Sequence, residues 1–140
     1  MIVADLSKAS LEEVVVEQNS ELEKELTKKI PAGFTLTYPI LELEDGTMLT
    51  QTTAIVEFLA ETGAVPTLLG SNDIERSQVD QWMQFVRMHT LTIARTLSGA
   101  VFGHISLSAT EYAYVAGLFK ENAKLLNNHL KGKLWIAGTD

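Results

Sequence analysis

The sequence has no cysteine among its 140 residues. This absence excludes a disulfide scaffold, a thiolate metal site and a cysteine nucleophile. Uninterrupted apolar runs such as Val14–Val16 are short, whereas a membrane span requires roughly 20 apolar residues. No charged and then apolar leader opens the chain. We therefore expect a cytoplasmic protein with no membrane partner, and any chemistry must come from other side chains.

Basic residues are few in the first half of the chain. Residues 1–66 hold 12 acidic and 4 basic residues, a charge of −8, whereas residues 67–140 hold 6 acidic and 7 basic residues, a charge of +1. An acidic surface repels phosphate backbones and anionic headgroups, so we expect no direct nucleic-acid partner. The negative charge could serve to bind a cationic protein partner or simply to keep the protein soluble, and the sequence leaves both explanations open.

The first sixty residues alternate strand and helix signals. Asp45-Gly46 between two extended runs indicates a hairpin turn, and Asn19 is expected to cap a helix. Residues 1–10 fit either a strand or the end of a helix. In chain order the predicted elements are a strand over 12–17, a helix over 20–29, strands over 38–43 and 47–49, and a helix over 51–62.

Strand signals end at a linker over residues 63–71, which is rich in glycine and proline at its ends. Beyond it, apolar residues recur at helical spacing and predict two long helices, over 73–97 and 108–130, packed as a hairpin. The predicted fold class is therefore α/β followed by all-α.

This layout resembles a glutathione transferase subunit. Tyr38-Pro39 in YPILEL resembles the cis-proline site of the family. In that family the backbone of the residue before the cis-proline pairs with the cysteinyl part of glutathione. A proline at the first position of an ordinary strand would give the same sequence. Gln51-Thr52, followed by Ala-Ile, resembles the helix start that binds the γ-glutamyl carboxylate, although a threonine there could simply cap the helix. The resemblance implies Tyr38, Pro39, Gln51 and Thr52 as glutathione-binding residues.

The family's layout also implies domain bounds. Residues 1–63 would be a thioredoxin-like N-terminal domain whose first strand is missing or shortened, and residues 72–140 an incomplete helical domain. The sequences LLGSNDIERSQVDQWMQF, at 68–85, and LLNNHLKGKLWIAGTD, at 125–140, are most similar to the gamma subunit of eukaryotic translation elongation factor one and to related domains of aminoacyl-tRNA synthetases. Gly138-Thr139-Asp140 would begin the family's capping box.

One part of the family's pattern is not matched. Its members place a tyrosine, serine or cysteine at the end of the first strand, where it favours the glutathione thiolate. Ser7 and Ser10 are the only hydroxyls near this place, and both would follow the first helix rather than precede it. We therefore expect no catalytic residue.

These features favour one functional hypothesis and leave a second. The first is a non-catalytic interaction module of the elongation-factor complex, docking the nucleotide-exchange subunit or an aminoacyl-tRNA synthetase, with a homodimer as a further arrangement that the family allows. The alternative is a glutathione transferase that conjugates or binds glutathione. The three histidines have no i, i+4 pair, so neither a metal nor another cofactor is expected.

Overall fold

Residues 2–138 are described by a computed structural model of the chain. The chain divides into Met1–Ser71, which we call the N-terminal unit, and Asn72–Asp140, which we call the helical unit. The N-terminal unit contains α1 (Ile2–Ser7), α2 (Glu21–Lys29), β1 (Leu41–Glu42), β2 (Met48–Leu49), α3 (Thr52–Thr62) and a 3₁₀ turn (Pro66–Leu69). The helical unit contains α4 (Asp73–Phe85), a π-helical segment (Val86–Leu91), α5 (Thr92–Val101) and α6 (Ala109–His129).

The core of the N-terminal unit lies between α1, α3 and one face of the hairpin. Ala4, Ile55 and Leu59 are buried together, and Leu41 and Leu49 of the hairpin pack against them. The ends of the two helices also meet, because the N–H of Ala64 donates to the carbonyl of Ser7 at 2.7 Å. This approach depends on Gly63, at which a Cβ would lie only 2.3 Å from the Cβ of Ser7.

The predicted hairpin is confirmed. The two strands pair antiparallel, with Leu41 opposite Leu49 and Glu42 opposite Met48. In the turn, the N–H of Thr47 donates to Oδ1 of Asp45 at 2.8 Å, and Gly46 adopts φ +83°, which a residue without a Cβ reaches freely. The turn chemistry of Asp-Gly therefore determines the register of the whole hairpin.

An exposed ion pair links α2 to the hairpin. Because side chains alternate along a strand, Glu42 points away from the face that holds Leu41. Its carboxylate pairs with Lys29 Nζ at 2.9 Å, which brings the end of α2 to that face. The predicted cap of this helix is wrong by one residue, since Ser20 is the N-cap and Asn19, at φ +62°, precedes it.

The strand predicted over 12–17 is wrong. The chain runs without a turn or bend there, but it pairs with no other strand among residues 2–138. A strand is stabilised by its ladder and by cross-strand side-chain pairs, so β-branched residues alone do not make one. Residues 2–7, for which strand and helix were both open, form α1.

The predicted helix over 73–97 is interrupted. It comprises α4, the π-helical segment and α5, and within it the hydroxyl of Thr92 donates to the carbonyl of Arg87, five residues earlier, at 3.2 Å. One extra residue in a single turn changes the spacing of the apolar residues too little to be recognised in the sequence. The second predicted helix is present as α6, which packs against α5. Within residues 2–138, no helix combines the length and apolar character needed to cross a membrane.

The helical unit holds its helices together with aromatic contacts. Trp82 lies edge-on to Phe85, with ring centroids 5.6 Å apart, and against His129 at 4.1 Å. The Nε2 atom of His129 lies 2.8 Å from the carbonyl oxygen of Ile136 and connects α6 to the segment that follows it. The predicted capping box at 138–140 lies largely outside the described residues, since these end at Gly138.

Candidate functional site

The hairpin brings the four predicted glutathione-binding residues to one end of the N-terminal unit. Tyr38 and Pro39 precede β1, and Gln51 and Thr52 follow β2. Pro39 is two residues before Leu41, and Gln51 is two residues after its ladder partner Leu49. The peptide bond between Tyr38 and Pro39 is cis, as the resemblance implies. All four residues thus flank the open end of the hairpin in sequence, and Thr52 is the first residue of α3.

The N-terminus of α3 differs from those of α2, α4 and α6. These three helices are capped by Ser20, Asn72 and Ser108, and each carries an acidic residue in its first turn. By contrast, the first turn of α3 holds no acidic residue. Because the dipole at a helix start attracts anions, this end is suited to bind a carboxylate.

Gln51 has an unusual backbone conformation. Its φ of +71° and ψ of 115° lie outside the regions that residues with a Cβ prefer. Such a conformation costs about 1–3 kcal/mol and is found most often at ligand-binding and catalytic sites. The conformation directs the chain from β2 into α3, and Gln51 itself is exposed at the bend.

The hydroxyl of Tyr38 contacts Glu23 in the first turn of α2. Partial burial raises the pKa of Tyr38 above its usual value, and the charge and hydrogen bond of the Glu23 carboxylate raise it further. The hydroxyl donates a hydrogen bond to the carboxylate of Glu23. The sequence alone did not reveal Glu23, because nothing in its spacing indicates that the first turn of α2 reaches the residue before the hairpin.

The serines considered near the site do not form a second half of it. Ser7 is buried at the end of α1, and its hydroxyl donates to the carbonyl of Ala4 at 3.2 Å. Ser10 is exposed in the straight stretch that follows. Neither hydroxyl belongs to the end of the hairpin that holds Tyr38 and Gln51.

Comparison with solved structures defines the fold. The chain is similar to a glutathione S-transferase of Vibrio parahaemolyticus, with a TM-score of 0.74 and 25% identity, over 97% of this chain and 65% of that one. A glutathione transferase of Bombyx mori has a TM-score of 0.79 and 21% identity, over 99% of this chain and 62% of that one. The fold is thus glutathione-transferase-like, which confirms the predicted truncated thioredoxin-like part and helical part.

Among curated proteins, the chain is similar to elongation factor 1-gamma. It is 24% identical over 129 residues to probable elongation factor 1-gamma 1 of Arabidopsis thaliana and 27% identical over 111 residues to elongation factor 1-gamma of Artemia salina. These matches cover 89% and 79% of this chain but 31% and 24% of the relatives. The chain therefore spans about a quarter to a third of their length. No family model matches it.

Proposed function

We propose that this chain is a non-catalytic, glutathione-transferase-like interaction module of the cytoplasmic translation elongation machinery. Its partner is the nucleotide-exchange subunit of the elongation-factor complex or an aminoacyl-tRNA synthetase. The similarity to elongation factor 1-gamma in a plant and a crustacean supports the assignment to translation.

Exposed apolar side chains carry the interaction part of the proposal. Phe102, Leu134 and Trp135 in the helical unit are 74%, 79% and 66% exposed. Phe102 follows the end of α5, and the preceding residue, Val101, lines a depression together with Ile105 and Tyr112. Large apolar side chains that are exposed in this way favour a protein-binding surface. We therefore assign the protein partner to the helical unit.

The state of Tyr38 supports a non-catalytic role. A tyrosine that favours a thiolate must donate its hydroxyl hydrogen to the sulfur, so a hydroxyl already donated to another acceptor does not serve that task. In this chain the pKa of Tyr38 is raised and its hydroxyl is directed to Glu23. The tyrosine nearest the candidate glutathione site is thus committed to a contact within the protein.

Binding to purified elongation-factor subunits tests the proposal. The immobilised chain should retain the nucleotide-exchange subunit, or a synthetase, from a mixture of both. Phe102→Ser should weaken binding at least about tenfold, because an aromatic side chain at the centre of an interface is worth about 2 kcal/mol or more. Tyr114→Ser, which changes another exposed aromatic residue, is the matched control. Retention of neither protein contradicts the proposal.

Glutathione binding is the second candidate function, and the start of α3, which has no acidic residue in its first turn, favours it. We propose that the first turn of α3 receives the γ-glutamyl carboxylate and that Tyr38, Pro39, Gln51 and Thr52 line the site. Calorimetric titration should then detect glutathione but not cysteinylglycine, which lacks that carboxylate. Equal heats from the two ligands would contradict this candidate.

A conjugation assay separates binding from catalysis. Turnover of glutathione with a reactive electrophile at ordinary enzyme rates, on the order of 1 to 1,000 per second, contradicts the non-catalytic module. Glutathione binding without turnover is compatible with both the module and the second candidate.

A further inference from the structure

The C-terminal half of α6 and the turn after it carry exposed lysines. Lys120 and Lys124 are four residues apart on the helix, and Lys131 follows its end in a turn. In that turn the N–H of Lys131 donates to the carbonyl of Asn128 at 3.4 Å. All three lysines are exposed, and none is in an ion pair among residues 2–138. We call Lys120, Lys124 and Lys131 the lysine surface.

The two helical lysines lie away from the packed side of α6. The helix packs against α5, and its half-buried side chains include Leu118, Asn122 and Leu126. Because an α-helix advances about 100° per residue, these three positions lie on the opposite side of α6 from Lys120 and Lys124. Packing against α5 therefore does not account for the two lysines.

The spacing of the two helical lysines opposes the helix that carries them. Like charges four residues apart on a helix repel each other and destabilise it. The N-terminal unit arranges lysines differently, since Lys24 pairs with Glu21 and Lys29 with Glu42. Acidic partners are not scarce, because the chain has 18 acidic and 11 basic residues. A local arrangement that opposes folding without an evident compensation is typical of a functional surface.

Charge and spacing define what the lysine surface can bind. Residues 122–138 contain three lysines and no acidic residue, although the net charge of the chain is −7. The helical rise sets Lys120 and Lys124 about 6 Å apart along the axis of α6. A second helix with glutamates at i, i+4 presents its carboxylates at the same spacing. Such a helix can place one carboxylate opposite each lysine.

Other anionic partners match this surface less well. The net negative charge of the chain repels a nucleic-acid backbone at long range. The exposed residues on the same side of α6 include Ala113, Ala123 and Asn127. None of these three is an aromatic side chain on which a base could stack or a large apolar one that enters a membrane. An acidic protein segment is therefore the favoured occupant.

We propose that the lysine surface binds a helical segment of a partner protein that carries carboxylates at i, i+4 spacing. Each carboxylate pairs with one lysine, and the pairs determine the position of the partner helix along α6. This surface shares no residue with the exposed apolar side chains assigned to the partner above or with the start of α3. Its test is therefore independent of the proposed function.

Titration with a synthetic helical peptide tests the pairing. The peptide AEAAAEAAAEAAAQ carries the required carboxylates, and AQAAAQAAAQAAAQ replaces them with amides. Lys120→Gln combined with Lys124→Gln should weaken binding of the acidic peptide about threefold to tenfold, since two exposed ion pairs are lost. The same variant should not change the weak binding of the amide peptide. Raising the salt concentration from about 50 to about 200 mM should reduce the effect.

Lys8→Gln combined with Lys28→Gln is the matched control. It removes the same charge from exposed lysines of the N-terminal unit, which are in no ion pair among residues 2–138. This variant should bind the acidic peptide as the unchanged chain does. Circular dichroism should give the same helix content for both double variants, so that a loss of binding is not a loss of folding.

Cross-linking identifies the lysines that the peptide contacts. A carbodiimide joins a carboxylate to an amine in contact with it, with loss of water. Mass spectrometry should therefore find the peptide glutamates attached to Lys120, Lys124 or Lys131. Cross-links spread equally over Lys8, Lys28 and the lysine surface would overturn the proposal.

Three further outcomes would also overturn it. The first is unchanged binding by Lys120→Gln combined with Lys124→Gln. The second is a concentration-dependent dimer, seen by light scattering, that this variant abolishes, because the occupant is then a second copy. The third is a single-stranded RNA that binds more tightly than the acidic peptide and is lost in the same variant, because the occupant is then a nucleic acid. Weakened peptide binding in this variant alone, with cross-links confined to the lysine surface, supports the proposal.

Discussion

The two units bury their side chains to different extents. In the N-terminal unit, Ile55 and Leu59 of α3 are 2% and 3% exposed. In the helical unit, neither α4 nor α6 has a buried residue among those described, and α5 buries only Gly99. The N-terminal unit therefore has a core from which water is excluded, whereas the helical unit depends on partly exposed contacts.

The helical unit compensates with local interactions at its helix ends. Asn72 Oδ1 accepts from the N–H groups of Ile74 and Glu75 at 3.1 and 3.0 Å. At the start of α6, Ser108 and Glu111 form a reciprocal capping box. Each such cap contributes about 1 kcal/mol, less than a buried aliphatic side chain. The comparison predicts that core mutations act strongly in the N-terminal unit and that capping mutations matter most in the helical unit.

The largest expected effect follows from Ile55→Ala. Removing a buried side chain from a packed core should lower the free energy of unfolding of the N-terminal unit by about 2–5 kcal/mol. Hydrogen exchange of the α3 amides, combined with chemical denaturation, measures this loss. Ile74→Ala in the exposed face of α4 is the matched control and should change stability by about 0.5 kcal/mol or less. Equal losses would abolish the distinction between the units.

Glycine substitutions should give the next largest effect. In Gly63→Ala the new Cβ would lie 2.7 and 2.8 Å from the carbonyl oxygens of Leu59 and Ser7, so backbone must move. We expect a loss of about 1–3 kcal/mol in thermal or chemical unfolding. In Gly99→Ala the close neighbour is Ile105 Cδ1 at 2.7 Å, the end of a flexible side chain. That variant should lose less than about 1 kcal/mol, since alanine also favours the helix. The reverse order would contradict the closer packing of the N-terminal unit.

Ser108→Ala should produce a smaller loss, confined to the helical unit. The Oγ of Ser108 accepts from the N–H of Glu111 at 3.3 Å, and its removal should cost about 1 kcal/mol. Trp82 and Trp135, the two tryptophans of the chain, both lie in this unit, so tryptophan fluorescence during denaturation follows it. Ser108→Thr retains a hydroxyl that can accept from the N–H of Glu111 and donate to its carboxylate, and it should recover most of the loss. A loss in both variants would indicate a role other than capping.

Local sequence signals predicted the parts of the fold that depend on neighbouring residues. Asp45-Gly46 determines its own turn, and the start of α3 follows from the apolar pattern that includes Ile55. The strand over residues 12–17 was predicted wrongly because β-branched residues require a distant partner to form a strand. The contact between Tyr38 and Glu23 depends on how α2 packs against the hairpin, which no local pattern specifies.

The π-helical segment was missed for a different reason. A single extra residue in one turn shifts the apolar face by less than the width of that face, so the pattern over 73–97 still fits a continuous helix. The binding role of Tyr38, Pro39, Gln51 and Thr52 stays a prediction. The sequence indicated their places in the chain, before β1 and after β2 of the hairpin.

The smallest expected effect is an acid dependence of the helical unit. The hydroxyl of Ser108 donates to Oε2 of Glu111 at 2.7 Å and its N–H donates at 2.8 Å, which together hold the pKa of Glu111 below its usual value. A carboxyl whose pKa is lower in the folded state stabilises that state above its unfolded pKa, about 4.3. This stabilisation is lost as the pH falls through the lower, folded value.

Glu111→Gln should therefore flatten the decline of the tryptophan-detected unfolding midpoint between pH 6 and pH 3. Asp45→Asn is the control in the other unit, because the pKa of Asp45 is lowered by the N–H of Thr47 within the hairpin turn. That variant should leave the tryptophan-detected midpoint unchanged across the same range. If Asp45→Asn flattens the decline as much as Glu111→Gln does, the two units unfold together. The difference in burial would then have no counterpart in stability.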